Sequence, residues 1–557
     1  MAIPGRGKGT RRTTRRIQSA ERRFSAKVAA RQFGRLLEGC GMQAGPELVI
    51  GLVGAVGTDL KGVGDLLDRD LRRVSYTPVL VRLSDLVLDC HKYGSLRELT
   101  AGPEDERIEA LMGAGDDLRR VAGRGDALAL LAMGKIRQMR RDKGGSEVRL
   151  LPRHAFLLHS LKHPGEVRTL REVYGDAFVA VSVYMPRADR LRVLSERISR
   201  SRGDYRPEAH EATAASLINK DEKDADDDLG QNVRDTFPES DIFLDASDPD
   251  TLPQQVSRFV EILFRHPYRT PTVDEYGLFH AKAAALRSAD LSRQVGAVIT
   301  TGDGEIIAAG CNEVPKAGGG SVWEGREQDR GKDRRDFVVG HDSSARMKHE
   351  ILEEIFGRLR DGGWLREDLS EVEPPELVSK ALFDPKVPTL AGTRAASIIE
   401  FGRIVHAEMS AITDAARRGL SVKGATLYCT TFPCHMCARH VIAAGVSRVV
   451  YIEPYPKSMA KELYKGSLDV DHDPAADGDA VRFRPFVGVS PRRYIDFFEM
   501  PRRKDARGHV IEWAPSTATP RVKQYPTYLD VETVHVSLLA EHRLEWGLVA
   551  PLESRGS

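Results

Sequence analysis

From Glu47 onward the sequence alternates short apolar runs with amphipathic stretches, and this alternation restricts the fold more than any other feature. "ELVIGLVG", "YTPVLVRL", "HAFLLHS", "FVAVSVY" and "DIFLDA" are brief, nearly continuous apolar runs that read as buried strands. Between them, "DLKGVGDLLDRDLRR", "DALALLAMGKIRQMRR", "PGEVRTLREVYG" and "TLPQQVSRFVEILFRH" carry apolar residues at helical spacing. Strand and helix in alternation predict a doubly wound parallel sheet, because each crossover helix covers a face of the sheet. One stretch breaks the pattern. "SRSRGDYRPEAHEATAASLINKDEKDADDDLGQ" is dense in charge and is expected to be a solvated, flexible excursion, with a substrate-covering lid as the alternative. The two prolines of "RHPYRTPTVDEYG" then close this first domain near Thr270.

A second α/β unit follows, with helix "GLFHAKAAALRSADLSRQ", strand "VGAVIT", a "GDG" turn and strand "EIIAAG". After "CNEVP" the pattern is interrupted by charged material, and it resumes with helix "VHAEMSAITDAARRG", strand "TLYCT", helix "CHMCARHVIAAG" and strand "RVVYIE". The boundaries expected from this reading are an arm over 1–45, a domain over 46–268, a second over 269–500 with an insertion at about 315–395, and an extension over 501–557.

Lys and Arg number 83 against 81 Asp and Glu, a formal charge of +2, so the chain as a whole offers no field for a nucleic acid or a membrane. The first twenty-three residues are different, with eight basic residues and one Glu, and are expected to form a solvated tail, with RNA or another polyanion as the alternative partner. No apolar run approaches the roughly 18 residues that cross a bilayer, and the Arg-rich start lacks the apolar core of a secretory signal. The expected location is cytoplasmic. Six Cys in 557 residues, two of them in a Cys-x-x-Cys, fit metal ligation in a reducing compartment better than a disulfide framework.

His406, Cys434 and Cys437 are the ligand types of a zinc site, since imidazole and thiolate suit a borderline-soft cation. Three ligands leave one position for solvent, the arrangement of catalytic rather than structural zinc. Glu408 stands two residues after His406, where its carboxylate can face that position and act as the catalytic acid and base. The alternative is a closed structural site with Cys429 or His435 as fourth ligand. Cys429 on the strand "TLYCT" is expected to pack as a small apolar residue, and His435 to point away from the metal turn.

"HAE" followed by "PCHMC" resembles the His-x-Glu and Pro-Cys-x-x-Cys signature of the zinc-dependent nucleobase deaminases. With "SADLSRQVGAVITTGDGEIIAAGCNEVP" and "GATLYCTTFPCHMCARHVIAAGVSRVVYIEPY", the second domain is similar to the deoxycytidylate deaminases. The resemblance implies a three-layer α/β/α fold, with His406 and both Cys at the amino ends of adjacent helices and with Glu408 as the proton carrier. It also implies that Asn312 reaches the sugar, and Ala407, Arg293 and Arg403 are placed with it as substrate-binding residues. A triphosphate calls for several cations beyond those gripping a monophosphate, for which Arg293, Arg403, Lys457, Arg492 and Arg493 are the candidates. A deaminase acting on single-stranded DNA or RNA would instead need an aromatic-lined groove, for which Tyr451, Tyr455 and Tyr464 are available.

In the first domain, "GLVGAVGTDL" has the place of a phosphate-binding loop, with Gly51, Gly54, Gly57 and Thr58 as its nucleotide-binding candidates. Thr58 and Asp59 stand where a working loop has Lys and a hydroxyl, so this P-loop is degenerate. Glycines kept only for tight packing are the alternative. The domain is expected to resemble a nucleotide kinase in fold without transferase activity, and to hold a regulatory nucleotide or RNA.

A degenerate kinase-like domain before a deoxycytidylate-type deaminase resembles the bacterial anti-phage dCTP deaminases over roughly residues 45 to 500. That resemblance implies Zn2+ as cofactor, dCTP and dCMP as substrates, depletion of the dCTP pool during infection, and a homo-oligomer. The rivals are a dCMP deaminase of ordinary pyrimidine metabolism, a bifunctional kinase, and a zinc-stapled module without activity.

Overall fold

The computed structural model describes residues 45–222, 228–329, 331–384, 388–390, 393, 395, 402–453, 458–472, 476–500, 502–522 and 528–541. The basic arm therefore lies outside the described residues, as do Tyr455 and Lys457. The chain forms two compact units, one of residues 1–269 with 495–557 and the other of residues 270–494. The described parts of the extension, 502–522 and 528–541, fall in the first unit.

In the first unit, β1 (Leu48–Val53) is followed by α1 (Leu60–Arg73), β2 (Thr77–Arg82), α2 (Leu83–Asp89), α3 (Glu104–Ala122) and α4 (Ala127–Gly144). Then come β3 (His154–Leu161), α5 (Pro164–Tyr174), β4 (Phe178–Tyr184), α6 (Arg187–Arg202), α7 (Glu211–Glu222), β5 (Ile242–Asp245) and α8 (Leu252–Leu263). The strands pair in parallel in the order β2-β3-β1-β4-β5. Every residue of β1 and of β4 is buried, as the continuous apolar runs require of strands covered on both faces. Chain order reverses at β1, so the loop after β1 opens at the carboxyl edge of the sheet where doubly wound folds place ligands.

The segment expected to be a flexible excursion is instead largely helical. α7 presents Ala214, Leu217, Ile218 and Asp221 to the interior, and the first three pack with Ile108, Met112, Leu194 and Ile198 in one apolar cluster. The spacing of those four positions is that of one helix face, a signal outweighed in the sequence by the surrounding charge. Residues 223–227 lie outside the description.

The second unit begins with α9 (Val273–Ala285), β6 (Gly296–Thr300) and β7 (Ile306–Cys311). The inserted segment follows and contributes two helices packed on each other, α10 (Ser343–Asp361) and α11 (Pro374–Phe383). The remaining elements are α12 (Ala407–Arg417), β8 (Thr426–Cys429), α13 (His435–Ala443), β9 (Arg448–Tyr451), β10 (Leu468–Val470) and β11 (Val481–Pro485). They form a six-stranded sheet in the order β10-β11-β9-β8-β6-β7, with β6 antiparallel to both neighbours and the pairs from β8 to β10 parallel.

Side-chain alternation along the strands separates two covered faces. Ala297, Ile299, Leu427, Cys429 and Val449 point toward Ala407, Ala411 and Ala438 of α12 and α13. On the opposite face, a Cβ at Gly296 would collide with the backbone of Ala281 and Ala285 of α9. Gly310 serves α12 in the same way, since a Cβ there would meet the backbone of Ala407 and Ala411. A strand glycine at each contact lets a helix backbone lie directly on the sheet, and at Gly310 that helix carries Glu408.

The last described helix, α14 (Tyr528–Glu541), packs on α4 and α5 of the first unit. It inserts Glu532, fully buried, beside the fully buried Arg140.

Candidate active site

His406 and Cys434 are the N-cap residues of α12 and α13, both with extended backbone and neither using its side chain to cap. The two side chains are thus free to project from adjacent helix starts, and Cys437 joins them from the first turn of α13. His406 Nδ1 lies 3.3 Å from each sulfur, Cys434 Sγ and Cys437 Sγ. The three donor atoms fall within 4.8 Å of one another. A tetrahedral zinc with its usual bonds to nitrogen and sulfur sets such atoms about 3.6 Å apart, so the donor set fits that ion. Neither Cys429 nor His435 belongs to this group among the described residues. Cys429 is fully buried in the sheet core, and burial pushes its thiol well above the ordinary range.

The electrostatics favour a cation at this point. The Cys434 thiol is held down to about 4, chiefly by its hydrogen bond with Cys437 and, against the cost of burial, by the His406 ring. The amino ends of the two helices add favourable partial charge for a thiolate. Glu408, in the first turn of α12 and 3% exposed, has its carboxyl pushed up by burial. A buried carboxyl that exchanges its proton more readily near neutrality suits general acid and base work.

These groups open on a cavity of about 290 Å³. Its wall includes His406, Ala407, Glu408 and Cys434 with Arg293, Asn312 and Arg403, so the structure brings all of these sequence candidates to one place except Cys437, which sits behind the wall. Asn312 is 7% exposed and both ends of its amide hold backbone. Oδ1 accepts the Val295 N–H at 2.7 Å and Nδ2 donates to the Arg293 carbonyl at 2.8 Å. It therefore fixes the loop that carries Arg293, with one amide hydrogen left for a ligand. Arg403 is ion-paired with Asp336 and donates to Ser343 Oγ at 3.0 Å. Arg492 and Arg493 do not line the cavity.

The inserted segment was not foreseen as part of this site, yet it contributes Asp336, Asp342, Ser344 and Lys348 to the wall. The aromatic-groove candidates fare otherwise. Tyr451 is 1% exposed and packs edge-on against Phe432, and Tyr464 packs against the same sheet core, so neither presents a face for stacking a base.

In the first unit, the loop after β1 holds an internal anion. The Val56 N–H donates to Asp221 Oδ2 at 2.7 Å. Lys162, just past β3, donates to the Gly54 carbonyl at 2.8 Å and pairs with Asp221 Oδ1 at 2.8 Å. A lysine from another strand end thus reaches the loop, where no local pattern announces it. Asp59, standing where a working loop has a hydroxyl, caps α1 by accepting the Gly62 N–H at 2.9 Å. The glycines have packing reasons: a Cβ at Gly51 would strike Leu161, one at Gly54 would strike Leu60, and Gly57 has a φ of +91° against the Arg190 backbone. Thr58 is buried, and its hydroxyl has no partner among the described residues.

Comparison with known proteins bears on the second unit. A model of the cytidine and deoxycytidylate deaminase zinc-binding region matches residues 271–453. The deoxycytidylate deaminase of Enterobacteria phage T2 is 36% identical over 100 residues, 17% of this chain and 53% of that protein. A probable deoxycytidylate deaminase of Drosophila melanogaster is 41% identical over 98 residues, 18% of this chain and 44% of its own length. The chain thus spans about half the length of these relatives. A dCMP deaminase structure from cyanophage S-TIM5, in complex with dCMP and dUMP, aligns with 39% of this chain and 98% of its own at 18% identity and a TM-score of 0.21. The second unit is thus the part of this chain that is similar to the zinc-binding region of the cytidine and deoxycytidylate deaminases.

Proposed function

We propose that the chain hydrolyses the exocyclic amine of deoxycytidine nucleotides, converting dCTP and dCMP to dUTP and dUMP with release of ammonia. The observation that carries this reading is the pairing of a three-donor His/Cys/Cys group with a buried carboxylate on one cavity wall. Zinc held by His406, Cys434 and Cys437 would supply Lewis-acid activation of water at neutral pH. Glu408 takes the proton that the attacking water gives up, delivers it to N3 of the cytosine ring, and passes a proton to the departing amine. Asn312 holds the Arg293 loop and offers its remaining amide hydrogen to the sugar. Arg293 and Arg403 supply positive charge for phosphate, Arg403 after exchanging Asp336 for the ligand. Tyr451, spent on the sheet core, offers no stacking face, which favours a free nucleotide over a polymer.

The role we infer is depletion of the dCTP pool in a phage-infected bacterium, supported by the two-unit layout and the sequence resemblance described above. The first unit acts as the regulatory element in this reading. A nucleotide or RNA phosphate at its loop must displace Asp221 from Val56 and Lys162.

The test is incubation of purified, zinc-loaded protein with dCTP, dCMP, CMP and an oligonucleotide, following ammonia. Turnover confined to the oligonucleotide refutes the substrate assignment. Glu408→Gln is expected to lower turnover by at least about 10²-fold while keeping one zinc per chain, since Glu408 lies outside the donor group. Loss of zinc in that variant would make Glu408 a ligand and overturn its role. In cells, the same variant should leave dCTP unchanged during phage infection while the native chain depletes it.

A further inference from the structure

The charges around the cavity are unequally committed. Asp290 Oδ1 accepts the N–H groups of Ser292 and Arg293 at 2.7 and 3.3 Å. Asp336 accepts from the Ser343 hydroxyl at 2.9 Å and is paired with Arg403. Asp342 caps α10 by accepting the N–H groups of Ser344 and Ala345 at 2.8 and 3.0 Å. Each of these carboxylates is spent on a turn, a cap or an ion pair. Arg293 is only loosely held, 3.4 Å from Glu453 and 61% exposed. Lys348, in the second turn of α10, lines the same cavity and has no hydrogen-bond or ion-pair partner among the described residues.

The sequence of α10 shows why. Two other cations on this helix have an acid one turn away, with Arg346 paired to Glu350 and Arg358 to Glu354, both at 2.7 Å. The positions one turn from Lys348 are Ser344, Ala345, Ile351 and Leu352, none of them acidic. The amino end of α10 is already occupied by its own Asp342, so the lysine, and not the helix end, is the open cationic group on this wall. An uncommitted ammonium on a cavity wall that also carries Arg293 and Arg403, with the acids of the inserted segment tied to a cap and an ion pair, offers a place for an anion.

We propose that Lys348 is a phosphate-binding residue supplied by the segment inserted between β7 and α12, and that it makes the cavity favour nucleotides over the nucleoside. This rests on the reading of the cavity as a deoxycytidine nucleotide site, and the test separates the two. The full zinc-loaded chain, with Lys348→Ala, Lys348→Glu and Lys348→Arg variants, is titrated with tripolyphosphate and with dCTP, and deamination of dCTP and deoxycytidine is measured in parallel. The expected result is a loss of about tenfold or more in affinity for tripolyphosphate and dCTP in the Ala variant, a larger loss in the Glu variant, and recovery in the Arg variant. KM for dCTP should rise with kcat little changed, and kcat/KM for deoxycytidine should stay the same. Unchanged tripolyphosphate affinity in both the Ala and Glu variants overturns the assignment of Lys348. If the native chain deaminates no deoxycytidine nucleotide, the functional reading falls, and Lys348 is judged on tripolyphosphate alone.

Discussion

Removing Arg140 should unseat the C-terminal helix from the first unit, and the structure sets the size of the effect. Arg140 is fully buried between two carboxylates. Its Nη2 and Nε donate to Glu47 at 2.8 and 3.1 Å, and its Nη1 donates to Glu532 at 2.5 Å. Tyr174 donates to Glu532 at 2.5 Å, and Tyr528 donates to Glu47 at 3.0 Å. One guanidinium thus balances two acids from opposite ends of the chain. Arg140→Met leaves both acids buried without a counter-charge, a loss of about 3–5 kcal/mol. Glu532→Gln leaves Arg140 still forked onto Glu47 and weakens two hydrogen bonds, a loss of about 1–3 kcal/mol. Because the two residues touch, the double variant should cost less than the sum by about 1–3 kcal/mol. Hydrogen exchange of residues 528–541 in the full chain reads the docking of α14 directly, and denaturant unfolding gives the energies. If Glu532→Gln costs as much as Arg140→Met, or if α14 exchanges no faster in either variant, the charge accounting is wrong.

Two further outcomes follow from the packing and the titrating groups. Gly310→Ala should force α12 off the sheet, destabilise the second unit by about 1–3 kcal/mol and lower zinc retention, measured by metal content after dialysis. Gly134→Ala, where an added Cβ meets nothing within 4 Å, should be neutral or stabilising and serves as the control. His159 is held down to about 4 by burial, aided by Arg82 and Lys162 and opposed by Asp59. The unfolded chain takes its proton near 6.5, so this contribution is complete above that pH and is lost as pH falls toward 4. The separation corresponds to about 3 kcal/mol as an upper figure, and His159→Asn should flatten the acid limb of a stability profile measured between pH 7 and 4.5.

Local pattern alone sufficed wherever a function or an element is carried by neighbours in sequence. The apolar runs predict β1 to β5, because a strand buried on both faces needs continuous apolar residues and little else, although β2, at the sheet edge, exposes Thr77, Leu80 and Arg82 where a buried strand is expected. His406 with Glu408, and Cys434 with Cys437, announce a metal site because two helix starts fix their spacing. What failed was of another kind. The helix α7 was hidden because four buried positions are diluted by surrounding charge. Tyr451, offered as a stacking face, is consumed by the sheet core, which no local signal reveals.

The sequence by itself determined the alternation of strand and helix, the three candidate metal donors and the acid spaced beside them, since periodicity and short-range spacing are properties of the chain. Only the tertiary structure decided which distant groups meet. It brings Lys162 and Asp221 to the loop after β1, Glu532 to Arg140, and Lys348 of the inserted segment to the cavity of Glu408. Such pairings depend on how crossovers and insertions return to a sheet edge. The free energy that rewards them comes from burying charge beside its counter-charge, and that arises only once the chain has closed on itself.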